Sequence, residues 1–146
     1  MRAVVTRVSR ASVEIDGKIN GQIGKGYLVL LGVAPQDTEE IAVKLAEKIC
    51  NLRVFEDENG KMNLNLEQVG GKLLVVSQFT LYADTSSRRP GFTGAAKPDV
   101  AIPLYEKFMA HCRDRGFEVQ HGEFGADMKV DSLNDGPVTI IFDTDA

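Results

Sequence analysis

Two short segments of the sequence carry polar groups that could take part in chemistry. The segment SQFTL (77–81) directly follows the apolar run LLVV. Polar groups at the carboxyl end of a buried strand are where α/β proteins often place a site. The segment NDGPVTI (134–140) is predicted as a tight turn followed by a strand. Residue types alone favour a structural explanation for both, because polar strand ends and Gly-Pro turns are common.

The usual motifs of metal, hydrolase and nucleotide chemistry are missing from the sequence. Its two histidines, His111 and His121, do not belong to a CxxC, HxxxH or HExxH pattern, so we expect no metal site. No GxSxG motif marks a nucleophilic serine, and a triad built on Ser77 is neither indicated nor excluded. GQIGKG (21–26) lacks the GxxxxGK[ST] spacing of a phosphate loop and precedes a strand.

Composition and charge restrict the class of protein. Hydrophobic residues make up 43% of the 146 positions, enough for the core of one domain. The net charge of −4 argues against indiscriminate nucleic-acid binding. A local positive cluster, Arg88, Arg89 and Lys97 against Asp84, departs from that balance. No segment has the length of a membrane span or the character of a signal peptide, so we expect a cytoplasmic protein without membrane contact.

Hydrophobic periodicity predicts the elements of the first half. Residues 2–14 alternate as a strand, and Asp16-Gly17 predicts a hairpin turn after it. The apolar run YLVLLGVA (27–34) is typical of a strand buried on both faces. The period then changes to that of a helix, where Asp37 and Glu40 predict a capping box.

In the second half a buried strand is again followed by a helix. KLLVV (72–76) predicts another buried strand, and residues 84–97 predict a long loop. A second helix is predicted within 98–116, either starting near Ile102 or kinked at Pro103. Three strand-like segments follow, at 117–124, 128–133 and 138–144.

This order of elements predicts a single α/β domain over residues 1–146, β-rich, with mostly antiparallel or mixed sheets. The two cysteines, Cys50 and Cys112, are far apart in sequence. A chain with a large core rarely needs a disulfide in a reducing compartment, so we expect two buried free thiols.

The two polar segments gain a specific meaning from a resemblance. SQFTL and NDGPVT, in this order and in a chain of this length, closely resemble paired motifs of the D-aminoacyl-tRNA deacylase family. RVSRASV, GKMNLNL and RRPGFTGAA also look familial. The resemblance covers essentially the whole chain, and several motifs in the right order make it specific.

The resemblance implies an activity and an assembly. The family hydrolyses the ester joining a D-amino acid to the 3′-terminal adenosine of tRNA, and also removes glycine mischarged on tRNA. It works as a homodimer with the site at the subunit interface, and it uses no metal or organic cofactor. Its two main helices pack on the outside of the sheets.

The resemblance also implies how chirality is read. In the family a cis Gly-Pro peptide, here Gly136 and Pro137, reaches from one subunit into the pocket of the other. A wall made of backbone would leave room for the α-hydrogen of a D-residue and would obstruct an L side chain. Arg7 matches the arginine that holds this peptide through its guanidinium.

The segment Ser77, Gln78, Phe79 and Thr80 would form the catalytic wall of that pocket. A threonine hydroxyl is a weak nucleophile without an adjacent base, and the sequence shows none. We therefore expect water to attack the ester, with backbone amides near Phe79 and Thr80 stabilising the oxyanion and the ribose 2′-hydroxyl assisting. A covalent role for Thr80 is the alternative.

Two other hypotheses remain open at this point. Arg88, Arg89 and Lys97 could contact phosphates of the acceptor stem or belong to an ordinary solvated loop. The same fold could serve as a non-catalytic tRNA- or RNA-binding module, or as a structural dimer without a nucleic-acid role. Of the three functions considered, namely deacylase, RNA-binding module and structural dimer, only the deacylase predicts turnover of D-aminoacyl-tRNA.

Overall fold

The computed structural model of the chain describes residues 1–145. In chain order these residues form β1 (Arg2–Ile15), β2 (Lys18–Ile23), β3 (Gly26–Gly32), α1 (Glu39–Cys50), β4 (Phe55–Glu56), β5 (Met62–Leu64), β6 (Lys72–Ser77), a 3₁₀ turn (Phe79–Tyr82), α2 (Pro98–Asp114), β7 (Val119–His121) and β8 (Lys129–Asp143). The strands β4 and β5 form a small separate hairpin.

The long strand β1 organises the main sheet. It pairs antiparallel with β2 across the predicted Asp16-Gly17 turn, and antiparallel with both β3 and β8. β6 lies parallel to β3, and β7 lies parallel to β6, so the sheet is mixed. The predicted class, α/β with a mostly antiparallel or mixed sheet, is confirmed.

Both helices cover one face of this sheet. The buried positions of α1 and α2 pack with β1, β3 and β6 in one apolar cluster, and the helices also contact each other. Cys50 and Cys112 meet where the two helices pack, with their Sγ atoms 3.8 Å apart. Both are buried and free, as predicted. A second apolar cluster, between β1, β2, β3 and β6, fills the opposite side.

The start of α1 differs from the prediction. Thr38, not Asp37, caps the helix by accepting a hydrogen bond from the backbone N–H of Ile41. The Asp37 carboxylate is buried instead, where it accepts hydrogen bonds from the amide of Ala34 at 2.7 Å and the ammonium group of Met1 at 2.9 Å. The predicted capping box is wrong because the Asp37 carboxylate is taken by a donor in the preceding turn and by the distant ammonium group of Met1.

Helix α2 begins earlier than the first alternative predicted. Pro98 occupies its first turn, where a missing amide donor costs nothing, and Pro103 lies inside the helix. A start near Ile102 is therefore wrong. The buried residues that flank Pro103, Ala101 and Leu104, pack into the main core and hold this stretch helical despite the lost hydrogen bond.

The last two predicted strands are one continuous strand, β8. The segment at 134–137 is predicted as a tight turn before the last strand, and this prediction is wrong because β8 runs through it without a break. Thr6 of β1 faces Thr139 and Val8 faces Asn134, so β8 advances five residues while β1 advances two. The extra residues form a bulge that pushes Gly136 and Pro137 out of the sheet without ending it.

At Gly26 the backbone of β3 packs tightly against the backbone of β6. A Cβ atom at this position would lie 1.9 Å from the backbone oxygen of Lys72. We expect Gly26→Ala to lower the free energy of unfolding by about 3 kcal/mol, because the backbone of a paired strand cannot yield cheaply. Urea denaturation measures this. Gly24→Ala is the matched control, since its Cβ would meet no atom within 4 Å; equal midpoints for the two variants would contradict the expectation.

Candidate functional site

The end of β6 opens into a cavity of about 250 Å³. Three of the four predicted catalytic residues, Ser77, Gln78 and Phe79, form one wall. The opposite wall comes from the β7–β8 connection and the start of β8, namely Phe124, Gly125, Ala126, Met128 and Val130. The cavity is therefore mostly apolar with a polar strand end on one side, as small-molecule sites usually are.

Local hydrogen bonds turn the chain sharply at this wall. The amide of Gln78 donates to the carbonyl of Leu31 at 2.8 Å, which extends the pairing of β6 with β3 by one residue. The chain then enters the 3₁₀ turn, in which the amide of Leu81 donates to the carbonyl of Gln78 at 3.2 Å. This change of direction leaves the ring of Phe79 54% exposed beside the cavity.

The turn leaves two backbone donors available. In residues 1–145, the amides of Phe79 and Thr80 have no backbone acceptor, because they precede the first hydrogen bond of the 3₁₀ turn. Adjacent free amides can stabilise a developing oxyanion. Phe79 lines the cavity, and Thr80 follows it directly in the chain, so these two donors lie at the cavity wall or next to it.

Thr80 is exposed, and within residues 1–145 no basic side chain is hydrogen-bonded to its hydroxyl. Its hydroxyl oxygen accepts a hydrogen bond from the side-chain amide of Gln78, and an amide cannot take a proton from a hydroxyl. The nearby Tyr105 is also unsuited to proton transfer. Its hydroxyl donates to the carbonyl of Val75 at 2.7 Å, and burial raises the pKa of Tyr105 far above its ordinary value. The site offers positioned dipoles rather than an acid–base pair.

The second predicted segment is held by a buried arginine. Arg7, only 5% exposed, donates from Nε to the carbonyl of Asp135 at 3.1 Å and from Nη1 to the carbonyl of Val54 at 2.6 Å. The Gly136–Pro137 peptide bond is cis, and both residues are exposed. Gly136 has a φ of 121°, and a Cβ there would lie 3.0 Å from Nη2 of Arg7.

One chain does not bring the two predicted walls together. Neither Gly136 nor Pro137 lines the cavity at Ser77. In the sheet, Arg7 is level with Tyr27 and Leu73, and Ser77 lies four residues farther along β6. Four residues correspond to about 13 Å of strand. The exposed Gly-Pro peptide is therefore separate from the cavity wall of its own chain.

Strand β8 has an unpaired, apolar edge. Its only partner in residues 1–145 is β1. Val130, Leu133 and Ile141 are exposed along it, and Ile141 reaches 73% exposure. Native proteins seldom leave a long apolar edge strand open, because it invites pairing with another chain.

Arg2 connects the 3₁₀ turn to the end of β8. Its Nη1 donates to the carbonyl of Leu81 at 2.8 Å and its Nε donates to Asp143 at 3.1 Å. The guanidinium also lies 4.4 Å from the ring centroid of Tyr82. The sequence analysis missed Arg2, because no local pattern relates a residue of the first strand to one 79 positions away.

The cavity wall at 124–130 was also missed. The segment EFGADM offered one signal, an isolated glycine, and Gly125 does adopt a positive φ of 81°. That signal marks a turn and says nothing about a pocket. Among residues 1–145, no group of three or more His, Cys, Asp or Glu side chains is arranged to hold a metal ion. Over the same range, no helix is long and apolar enough to cross a membrane.

Comparison with known proteins gives a consistent result. Residues 4–143 match the family described as D-Tyr-tRNA(Tyr) deacylase. Curated proteins named D-aminoacyl-tRNA deacylase are similar over 140 residues, 95% of this chain and 97% of theirs: 61% identity in Shewanella sp. (strain W3-18-1) and 62% in Shewanella baltica (strain OS185).

Solved structures share the fold. One described as "c-Myc DNA Unwinding Element Binding Protein" has 40% identity, a TM-score of 0.93 and full coverage of both chains. Another, described as "Structural Analysis of a probable eukaryotic D-amino acid tRNA deacylase", has 18% identity, a TM-score of 0.83 and 97% coverage of both chains. At 18% identity the second supports the fold alone.

Proposed function

Because the chain belongs to the D-Tyr-tRNA(Tyr) deacylase family, we propose that it hydrolyses the ester joining a D-amino acid to the 3′-terminal adenosine of tRNA. The observation that carries this proposal is the near-complete match to curated D-aminoacyl-tRNA deacylases. The protein is thus a hydrolase of aminoacyl-tRNA esters. Removal of glycine from mischarged tRNA follows from the same pocket, because glycine has no side chain to obstruct. We propose that the reaction takes place in the cytoplasm, where tRNA is charged and used.

The active unit is proposed to be a homodimer. Two observations support it: the apolar edge of β8, and the outward position of Gly136 and Pro137, which do not line the cavity of their own chain. In a symmetric dimer each copy contributes the same surface. The Gly-Pro peptide of one subunit would then close the cavity at Ser77 of its partner.

The chiral filter is proposed to be this closing peptide. Gly136 presents backbone without a side chain, so the α-amino group and α-hydrogen of a bound residue can approach closely. An L side chain would point into that backbone and be rejected sterically. Arg7 positions the peptide from behind, because its guanidinium is bonded to Asp135 and to Val54.

Hydrolysis is proposed to proceed by attack of water on the ester carbonyl. The free amides of Phe79 and Thr80 would stabilise the oxyanion as the tetrahedral intermediate forms. The ribose 2′-hydroxyl of the terminal adenosine would assist proton transfer. Gln78 orients the hydroxyl of Thr80, and Ser77 supplies a polar group at the cavity wall.

A second candidate function is nucleic-acid binding without turnover. The structural neighbour at 40% identity is described as a DNA-element-binding protein, which favours this alternative. Arg88, Arg89 and Lys97 would serve either function through phosphate contacts. Hydrolysis of D-aminoacyl-tRNA distinguishes the deacylase from a protein that only binds nucleic acid.

The activity is tested with D-tyrosyl-tRNA and L-tyrosyl-tRNA presented to the pure protein. We expect release of D-tyrosine well above the spontaneous rate and no acceleration with the L-form. Binding of both tRNAs with no release from the D-form would establish the second candidate instead.

Gly136→Ala is expected to reduce kcat/KM for the D-substrate by about tenfold or more, because the added methyl group meets Arg7 and Val138 and displaces the filter. Gly17→Ala is the matched control. Gly17 also has a positive φ, 77°, but its Cβ would meet nothing within 4 Å. Thermal denaturation of both variants separates instability from loss of function. If Gly136→Ala kept wild-type kinetics, that peptide would not belong to the site.

Thr80→Val is expected to keep kcat within about tenfold of wild type, because valine retains the shape and removes only a hydroxyl that has no base. Loss of a true nucleophile costs several orders of magnitude. Single-turnover hydrolysis of D-tyrosyl-tRNA measures the chemical step. A loss of that size with unchanged substrate binding would establish Thr80 as a covalent nucleophile.

A further inference from the structure

The loop between the 3₁₀ turn and α2 is held firmly at its base. Asp84 and Gly91 exchange two backbone hydrogen bonds, of 2.8 and 2.9 Å. The amide of Ala96 donates to the carbonyl of Val33 at 2.8 Å, which anchors the end of the loop to the core. Residues 85–90 therefore form a closed tip that projects from a fixed point. We call residues 84–97 the basic loop.

The tip of the basic loop carries two cations in an acidic protein. Arg88 and Arg89 are exposed, and within residues 1–145 neither guanidinium takes part in an ion pair. The carboxylate of Asp84 accepts a hydrogen bond from the amide of Ser86 at 2.9 Å and forms no ion pair with either arginine. Both arginines are therefore available to an anionic partner.

An aromatic pair lies between this loop and the cavity. Phe92, in the loop, meets Phe79, in the cavity wall, with ring centroids 5.1 Å apart and the planes at 73°. Phe79 is more than half exposed and Phe92 is partly exposed. Exposed aromatic rings next to cations are the composition that binds unpaired nucleotides, since bases stack on the rings and phosphates meet the cations.

We propose that the basic loop binds the unpaired 3′ end of the tRNA rather than its base-paired stem, with Phe92 and Phe79 as a stacking platform and Arg88 and Arg89 as phosphate contacts. The inference rests on the proposed function. Phe79 lines the cavity and its ring contacts Phe92 of the basic loop, so nucleotides that precede a terminal ester in the cavity can reach the loop across this aromatic pair. Only unpaired bases can stack on a side chain in this way.

Two labelled RNA hairpins test the proposal, one with an unpaired 3′ overhang of tRNA-like sequence and one with a blunt end. Fluorescence anisotropy gives their affinities for the whole protein at several salt concentrations. We expect the wild type to prefer the overhang. Phe92→Leu keeps an apolar contact with Phe79 and is expected to weaken overhang binding by about tenfold without changing the salt dependence, while Phe92→Tyr restores it.

The arginines are expected to behave differently. Arg88→Ala with Arg89→Ala should reduce the slope of log K against log salt by about 1.4, because each phosphate contact to a single strand contributes about 0.7. The matched control is Lys44→Ala with Lys107→Ala, which removes the same charge from exposed helix positions and should leave the slope unchanged. If both double variants reduced the slope equally, the proposed phosphate contacts of Arg88 and Arg89 would be wrong.

The outcomes separate this inference from the proposed function. Equal wild-type affinity for the two hairpins, or an unchanged overhang affinity in Phe92→Leu, would overturn the inference even if D-tyrosyl-tRNA is hydrolysed normally. Overhang preference that depends on Phe92 would support it even if no turnover occurs, in which case only the proposed function fails. In an active enzyme, Phe92→Leu should raise KM for D-tyrosyl-tRNA and leave kcat within about twofold.

Discussion

The buried guanidinium of Arg7 is the constraint on which the rest of the candidate site depends. A charge removed from water is costly unless its donors are satisfied. Arg7 meets that demand with carbonyls from two distant segments, at Val54 and at Asp135. The bulge in β8 consequently has one favourable position. The conformation of the exposed segment around Gly136 and Pro137 is thus determined by the buried guanidinium of Arg7, which needs hydrogen-bond acceptors.

Regular elements were accessible from the sequence because their causes are local. Alternation in residues 2–15 and the continuous apolar runs of β3 and β6 have one structural solution each, and the helical period after residue 38 has another. The errors at the starts of the two helices occurred where contacts with distant residues determine the structure. The Asp37 carboxylate is taken by the ammonium group of Met1, and Pro103 stays helical because its neighbours are buried.

The site was less accessible than the fold. Residue types gave no reason to join SQFTL with NDGPVT, and the resemblance to a family supplied that link. The wall at 124–130 and the contacts of Arg2 depend on how the β7–β8 connection and β8 lie against the rest, which no sequence window contains. NDGP was predicted as a turn for a sound local reason. Pairing with β1 on both sides of it turns the same residues into a bulge instead.

The pairing of β1 with β8 also has a consequence for the order of folding. Arg2 and Asp143 are 141 residues apart in sequence, and Arg7 and Asp135 are 128 apart. Closing such contacts is slow, because chain entropy is lost before they form. During synthesis β1 leaves the ribosome long before β8 exists. The hydrogen bond from Arg7 to Asp135, and with it the bulge that carries Gly136 and Pro137, can therefore form only after nearly the whole chain has been made.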